Sequence, residues 1–87
     1  MEFEYDPSKS DANREKHGID FVRAQFLWTD QRRIVAPARS TTEPREAIIA
    51  ILDGVHWTAV YTMRGQAVRI ISVRRSSDEE RKGYNNR

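Results

Sequence analysis

The order of apolar patterns along this chain predicts an α+β domain: helices packed on an antiparallel sheet of four to five strands. Three observations carry that expectation. Three β-like runs follow one another, Arg45 to Leu52, His56 to Met63 and Gln66 to Arg75, broken by Asp53-Gly54 and Arg64-Gly65, which are hairpin turn signals. Two helical patterns with N-cap residues precede those runs. Eighty-seven residues are too few for more than one core, so residues 1–87 read as a single domain.

The elements follow in order. Phe3 to Tyr5 alternates enough for a short first strand. Asp6-Pro7 reads as a helix start, because Asp is a favoured cap and Pro is pre-set for the first helical position. That helix runs to about His17, with Gly18 as its stop. Between Ser8 and His17 its only apolar side chain is Ala12, so most of its surface is expected to meet water, partner or substrate. Asp20 caps a second helix whose Phe21, Ala24, Leu27 and Trp28 face a core. Arg32 to Pro37 reads as a strand closed by Pro37, and Arg39 to Pro44 as a polar loop. After the three long runs, Ser77 or Asp78 caps a short final helix reaching Tyr84. The second helix should lie on the sheet with the first, giving two N-terminal helices and one short C-terminal helix.

Composition bounds what the chain can be. Hydrophobic residues make up 38% and charged residues 32%, a globular rather than disordered balance. There is no cysteine, which removes disulfides and thiolate metal sites together. The longest apolar run, Ala47 to Leu52, is far short of the roughly 20 residues of a membrane span. The first residues lack the basic and apolar stretches of a signal peptide, so the cytoplasm is the expected location. Net charge is only +2, yet Arg64 to Arg87 holds seven basic and three acidic residues. Most of the fifteen basic residues are arginine, whose planar fork matches phosphate. A polyanionic partner and a solvated arginine-rich surface fit these numbers equally well.

Two constellations could do chemistry. Lys9, Asn13 and Lys16 fall on one face of the first helix, with His17 beside them. Two ammonium groups, an amide and an imidazole there could hold a phosphate and move a proton. A solvated helix with cations near its C-terminal dipole has the same pattern. Arg64, Arg69, Arg74 and Arg75, followed by Arg81 and Tyr84, form the second group. A strand carrying Arg69 and Arg75 on one face and Arg74 on the other cannot bury all three without partners. One face therefore meets solvent, an anion, or acidic residues such as Glu79 and Glu80. His17 and His56 lack the spacing of a zinc site, and no Gly-rich phosphate loop occurs, so no metal or cofactor is expected.

The residues also resemble a family. Phe3-x-Tyr5-Asp6-x-x-Lys9-x-x-x-Asn13-x-x-Lys16-His17-Gly18-x-x-Phe21 is similar to the opening of BrnT-type toxins. Tyr61-Thr62-x-Arg64-Gly65, Arg69-Ile70-Ile71-Ser72-x-Arg74 and Glu80-Arg81-x-x-Tyr84 resemble their second half. Val22, Arg23, Ala50 and Ser76 depart from the usual residues, and residues 31 to 44 match little.

The resemblance implies a RelE-like fold and a ribonuclease toxin of a type II toxin–antitoxin system, inhibiting translation and growth. It implies as partners an RNA substrate, a BrnA-like ribbon-helix-helix antitoxin, and operator DNA reached through the toxin–antitoxin complex, within which the toxin could be a dimer. Metal-free cleavage needs one proton accepted, one donated, and charge on the phosphate stabilised. Lys16, His17, Arg64, Arg69, Arg74 and Tyr84 are the expected catalytic group, with His17 the first choice for proton transfer. Lys9, Arg45, Arg75 and Arg81 are expected to bind RNA. The competing class is a non-catalytic module that binds nucleic acid or sequesters antitoxin; incubation with RNA and EDTA separates the two.

Overall fold

The computed structural model describes residues 1–87. The chain runs β1 (Glu2–Glu4), α1 (Pro7–His17), α2 (Phe21–Ala24), a 3₁₀ turn (Gln25–Thr29), β2 (Ile34–Ala38), β3 (Arg45–Leu52), β4 (Val55–Arg64), β5 (Ala67–Arg75) and α3 (Asp78–Asn85). The strands form one sheet in the order β1-β5-β4-β3-β2. No helix is long and apolar enough to cross a membrane.

The β3-β4-β5 meander is the part read most directly from turn chemistry. Asp53 and Gly54 both take positive φ, 52° and 79°, as a two-residue hairpin with right-handed strand twist requires. Gly65, at φ 60°, opens the second turn, a conformation a side chain would strain. A shift in register between Val60 and Tyr61 leaves Ile71 without a partner on β4. Such a bulge keeps Val68, Ile70 and Val73 on one face despite their uneven spacing.

Contrary to expectation, the sheet is mixed. β1 lies parallel to β5, pairing Phe3 with Val68 and Glu4 with Arg69. Some thirty residues separate β1 from β2, so no hairpin constrains the first strand. Its place is set instead by Phe3, whose ring meets Trp28 edge-on at 5.2 Å beside the core.

The core lies on one face of the sheet. Twelve buried residues form it, among them Ile48, Ala50, Ala59, Val68, Ile70 and Val73 from the strands and Phe21, Ala24 and Leu27 from the helical segment. That segment departs from the continuous second helix expected through Trp28. Asp20 caps it as predicted, its Oδ1 accepting from Arg23 N at 2.7 Å. After Ala24 it tightens to a 3₁₀ turn, and Thr29 Oγ1 donates to Phe26 O at 2.6 Å. Aromatic and β-branched residues there lose rotamer freedom in an α-helix. Pro37 sits inside β2 rather than closing it, which an edge strand tolerates because the missing N–H need not face a neighbour.

α1 docks without an apolar stripe. Ala12 is exposed, whereas Ser10 and Asn13 are buried. Ser10 Oγ accepts from Phe21 N at 2.8 Å. Asn13 Nδ2 donates to Ile19 O at 2.8 Å, and its Oδ1 accepts from Val73 N at 3.2 Å. β1 pairs only as far as Arg69, so this amide caps backbone that the first strand leaves open. Asn13 is thus a structural residue and not part of an exposed anion-binding face.

Candidate active site

Cross-strand partners share a face, so register alone sorts the arginines. Trp57, Ala59 and Tyr61 of β4 pair with Arg75, Val73 and Ile70 on the core face. Thr58, Val60 and Thr62 pair with Arg74, Ser72 and Arg69 on the other face, so the bulge at Ile71 sets Arg69 beside Arg74 and not, as simple alternation predicted, with Arg75. α3 covers one end of that second face, where Thr58 Oγ1 donates to Glu80 Oε1 at 2.9 Å. The opposite end carries Glu4, Arg69, Thr62 and Arg64.

At that open end two guanidinium groups converge on one oxygen. Arg69 Nη1 lies 3.6 Å from Glu4 Oε1, and Arg64 Nε lies 3.8 Å from the same atom. Both distances exceed a hydrogen bond. The carboxylate is therefore shared loosely between two cations that keep most of their donors free. Both arginine side chains reach solvent, Arg64 58% and Arg69 34% exposed.

Arg74 behaves differently. Its Nη1 and Nη2 donate to Glu80 Oε1 and Oε2 at 2.7 and 3.0 Å, a two-pronged pair. Glu80 Oε1 also accepts from Ser77 N at 2.8 Å, closing a capping box that begins α3. The Arg74 hydrogen bonds hold the Glu80 carboxyl down to about 2, against the opposing effect of burial. The same bonds raise Arg74 above its ordinary value. This guanidinium ties α3 to β5.

Tyr84 is buried, and its hydroxyl donates to Asp30 Oδ2 at 2.7 Å. The same carboxylate oxygen accepts from Ile51 N at 2.8 Å. Burial and the Asp30 hydrogen bond push the phenol above its ordinary value, so it stays protonated at neutral pH. For Asp30 itself, burial acts to raise the carboxyl, but the bonds from Ile51, Tyr84 and Arg32 outweigh it and the net shift is down. The Tyr84 ring meets His56 edge-on at 5.2 Å and carries the Arg87 guanidinium at 4.8 Å, so its faces are engaged within the chain.

The remaining candidates disperse. Lys9 and Lys16 are exposed and His17 is half-buried at the end of α1. The Asn13–Val73 bond keys α1 to β5 four residues beyond Arg69, roughly 13 Å along the strand. Gly18 lines a cleft with Trp57, the register partner of Arg75. The C-terminal turn of α1 therefore belongs to the Arg75 end, away from Arg64 and Arg69. Arg75 itself lies over the Trp57 ring at 5.5 Å, and Arg81 pairs with Asp78 within α3. Arg45 stands at the start of β3, 3.5 Å from Glu43, with its Nε buried and unpartnered. No three His, Asp or Glu side chains gather as a metal site.

Sequence reasoning missed Glu4. The alternation that half-buries Phe3 against the core turns Glu4 to the opposite face, but nothing local reveals that β1 lies beside Arg69. Only the parallel pairing of residues more than sixty positions apart does so.

The structure is thus a small α+β domain with a loosely paired guanidinium cluster on an uncovered sheet face. Residues 5–80 match the family described as the ribonuclease toxin BrnT of type II toxin–antitoxin systems, and the chain belongs to that family. Membership makes it a ribonuclease toxin whose target is RNA and whose partner is an antitoxin. No curated protein matches the chain.

Proposed function

We propose that the chain is a metal-independent endoribonuclease with a RelE-like fold, acting as one domain, and that Arg64, Arg69 and Glu4 form its reaction centre. The observation that carries this reading is the pair of arginines sharing one Glu4 oxygen, which stands where a phosphate oxygen would bind. An RNA phosphate entering between the guanidinium groups takes over their charge and frees the carboxylate. Glu4 then accepts the 2′-hydroxyl proton while O2′ bonds to phosphorus. The P–O5′ bond breaks, leaving a 2′,3′-cyclic phosphate, and O5′ takes its proton from solvent. Arg64 and Arg69 stabilise the charge that builds on the equatorial oxygens, the largest single contribution expected in such a site.

In this reading Arg74 and Tyr84 position α3 and are not reacting groups. Lys9, Lys16, Arg75 and Arg81 supply a general attraction for RNA, and His17 stands outside the centre. The toxin works in the cytoplasm, halting translation and growth. Its antitoxin is a BrnA-like ribbon-helix-helix protein, and the complex, with the toxin as a dimer, represses its own operon at operator DNA.

The test is incubation of purified protein with RNA in EDTA. Products ending in 2′,3′-cyclic phosphate are expected, with cleavage lost in folded Glu4→Gln and Arg69→Ala. Intact but retarded RNA marks a binding module and sinks the nuclease reading. Full cleavage by folded R69A sinks the assignment of the centre.

A further inference from the structure

The row of side chains that holds the arginine pair continues across the sheet. Glu4 pairs with Arg69, and Arg69 with Thr62. Glu46 pairs with Tyr61, so the next position places Arg45 beside Thr62, and Arg45 pairs in turn with Ala38. Glu4, Arg69, Thr62, Arg45 and Ala38 thus form one line on the uncovered face. The chain then leaves β2 into a loop beginning at Arg39.

That loop and Arg45 border a shallow, open groove of about 440 Å³, lined by Arg39, Ser40, Thr41, Thr42 and Arg45, with no apolar side chain. Two guanidinium groups and three hydroxyls are the donors a phosphate requires. Neither arginine is satisfied within the chain. Arg39 has no carboxylate partner, and Arg45 has only Glu43 at 3.5 Å, with its Nε orphaned. Arg39 is exposed and Arg45 keeps about 31% of its side chain exposed, so both can meet an arriving anion.

The loop is also held in place relative to Arg69. Ser40 Oγ accepts from Thr42 N and Glu43 N at 3.3 and 3.2 Å, which shapes its turn. Thr62 Oγ1 donates to Pro44 O at 2.6 Å, tying its end to the strand position that pairs with Arg69. Arg45 and Arg69 sit two strands apart, roughly 10 Å between backbones, within what a short extended stretch of RNA spans.

We propose that the Arg39–Arg45 loop is a second phosphate subsite, taking an RNA phosphate that flanks the one held by Arg64 and Arg69. The inference rests on the reaction centre proposed above. Thr62 is its positioning residue, setting the spacing between the two sites. The toxin therefore grips RNA through more than the reacting phosphate, and oligonucleotides long enough to fill both sites bind better than minimal ones.

The experiment measures binding of fluorescent RNA blocked by 2′-O-methyl groups, as a dinucleotide with one phosphate and as a tetranucleotide. Arg39→Ala with Arg45→Ala should weaken tetranucleotide binding about tenfold or more, the scale of a lost charge-assisted hydrogen bond, and flatten its salt dependence. Dinucleotide affinity should hold. Thr62→Val should lower tetranucleotide affinity selectively, with the melting temperature reporting that it folds. Equal weakening of both oligonucleotides by R39A/R45A, or of neither, overturns the subsite. The double variant R64A/R69A is read separately: if it weakens neither oligonucleotide, the reaction centre is misplaced, while the R39A/R45A comparison still decides the loop.

Discussion

β5 carries two arginines on the same face of the sheet, and their surroundings could hardly differ more. Arg74 meets Glu80 through two hydrogen bonds at 2.7 and 3.0 Å, and that carboxylate is also bonded by Thr58 and a backbone N–H. Arg69 shares one Glu4 oxygen with Arg64 at 3.6 and 3.8 Å and bonds nothing closely. A guanidinium gripped by a carboxylate through two short bonds gives up that partner at a cost, whereas one held by charge at longer range exchanges its partner readily. Counting positive charges along the strand cannot tell these apart. The partners do, and they come from opposite ends of the chain.

A large effect on rate alone should follow from Arg69→Ala. If Arg69 steadies developing phosphate charge, its removal lowers the cleavage rate by about 10²–10³-fold, the usual loss for one such donor. The melting temperature should barely move, because exposed ion pairs contribute little. Rate and melting curves on one preparation check both halves. A large fall in stability with cleavage retained would erase the contrast with Arg74.

Glu80→Gln should give the reverse pattern. It removes the charge from a group bonded by Arg74, Thr58 and Ser77, so a loss of about 1–3 kcal/mol is expected. In a domain of this size each kcal/mol lowers the melting temperature by roughly 4–8 °C. Cleavage by the folded fraction should persist. The same residue sets an acid limit. Pairing holds the Glu80 carboxyl at about 2, below the roughly 4.3 of an unfolded Glu. Its stabilisation is thus complete above the unfolded value and fades as pH falls from there toward 2. Melting temperatures across that window should drop more steeply for the unaltered protein than for E80Q.

These contrasts also show which parts of the molecule the sequence could disclose. Asp6-Pro7, Asp20, Gly18, Asp53-Gly54 and Ser77 act through neighbours a few positions away, and each cap or turn formed where local chemistry placed it. The family was likewise recognisable in the chain, through the resemblance of its motifs to known members. What stayed hidden depends on contacts across the sheet. Asn13 looks like a solvated amide on a polar helix until its bonds to Ile19 and Val73 are known. Glu4 looks like a charged residue at a frayed strand until β1 is seen beside β5. The arginines of the candidate site were all legible as residues, but only tertiary pairing separates those with partners from those without.

The smallest expected effect sharpens the comparison most. The Asn13–Val73 bond and the cleft shared by Gly18 and Trp57 carry His17 to the Arg75 end of β5. A proton carrier there cannot serve a phosphate between Arg64 and Arg69. His17→Gln should therefore leave cleavage unchanged, while Glu4→Gln lowers it by about 10²–10⁴-fold, the worth of a proton-transfer group. The opposite outcome, loss in H17Q and full activity in folded E4Q, would move the chemistry to the end where Lys16 and Arg75 stand. Arg69 and Arg64 would then be an RNA clamp at a distance. Single-turnover cleavage rates of the two folded variants on the same RNA decide it.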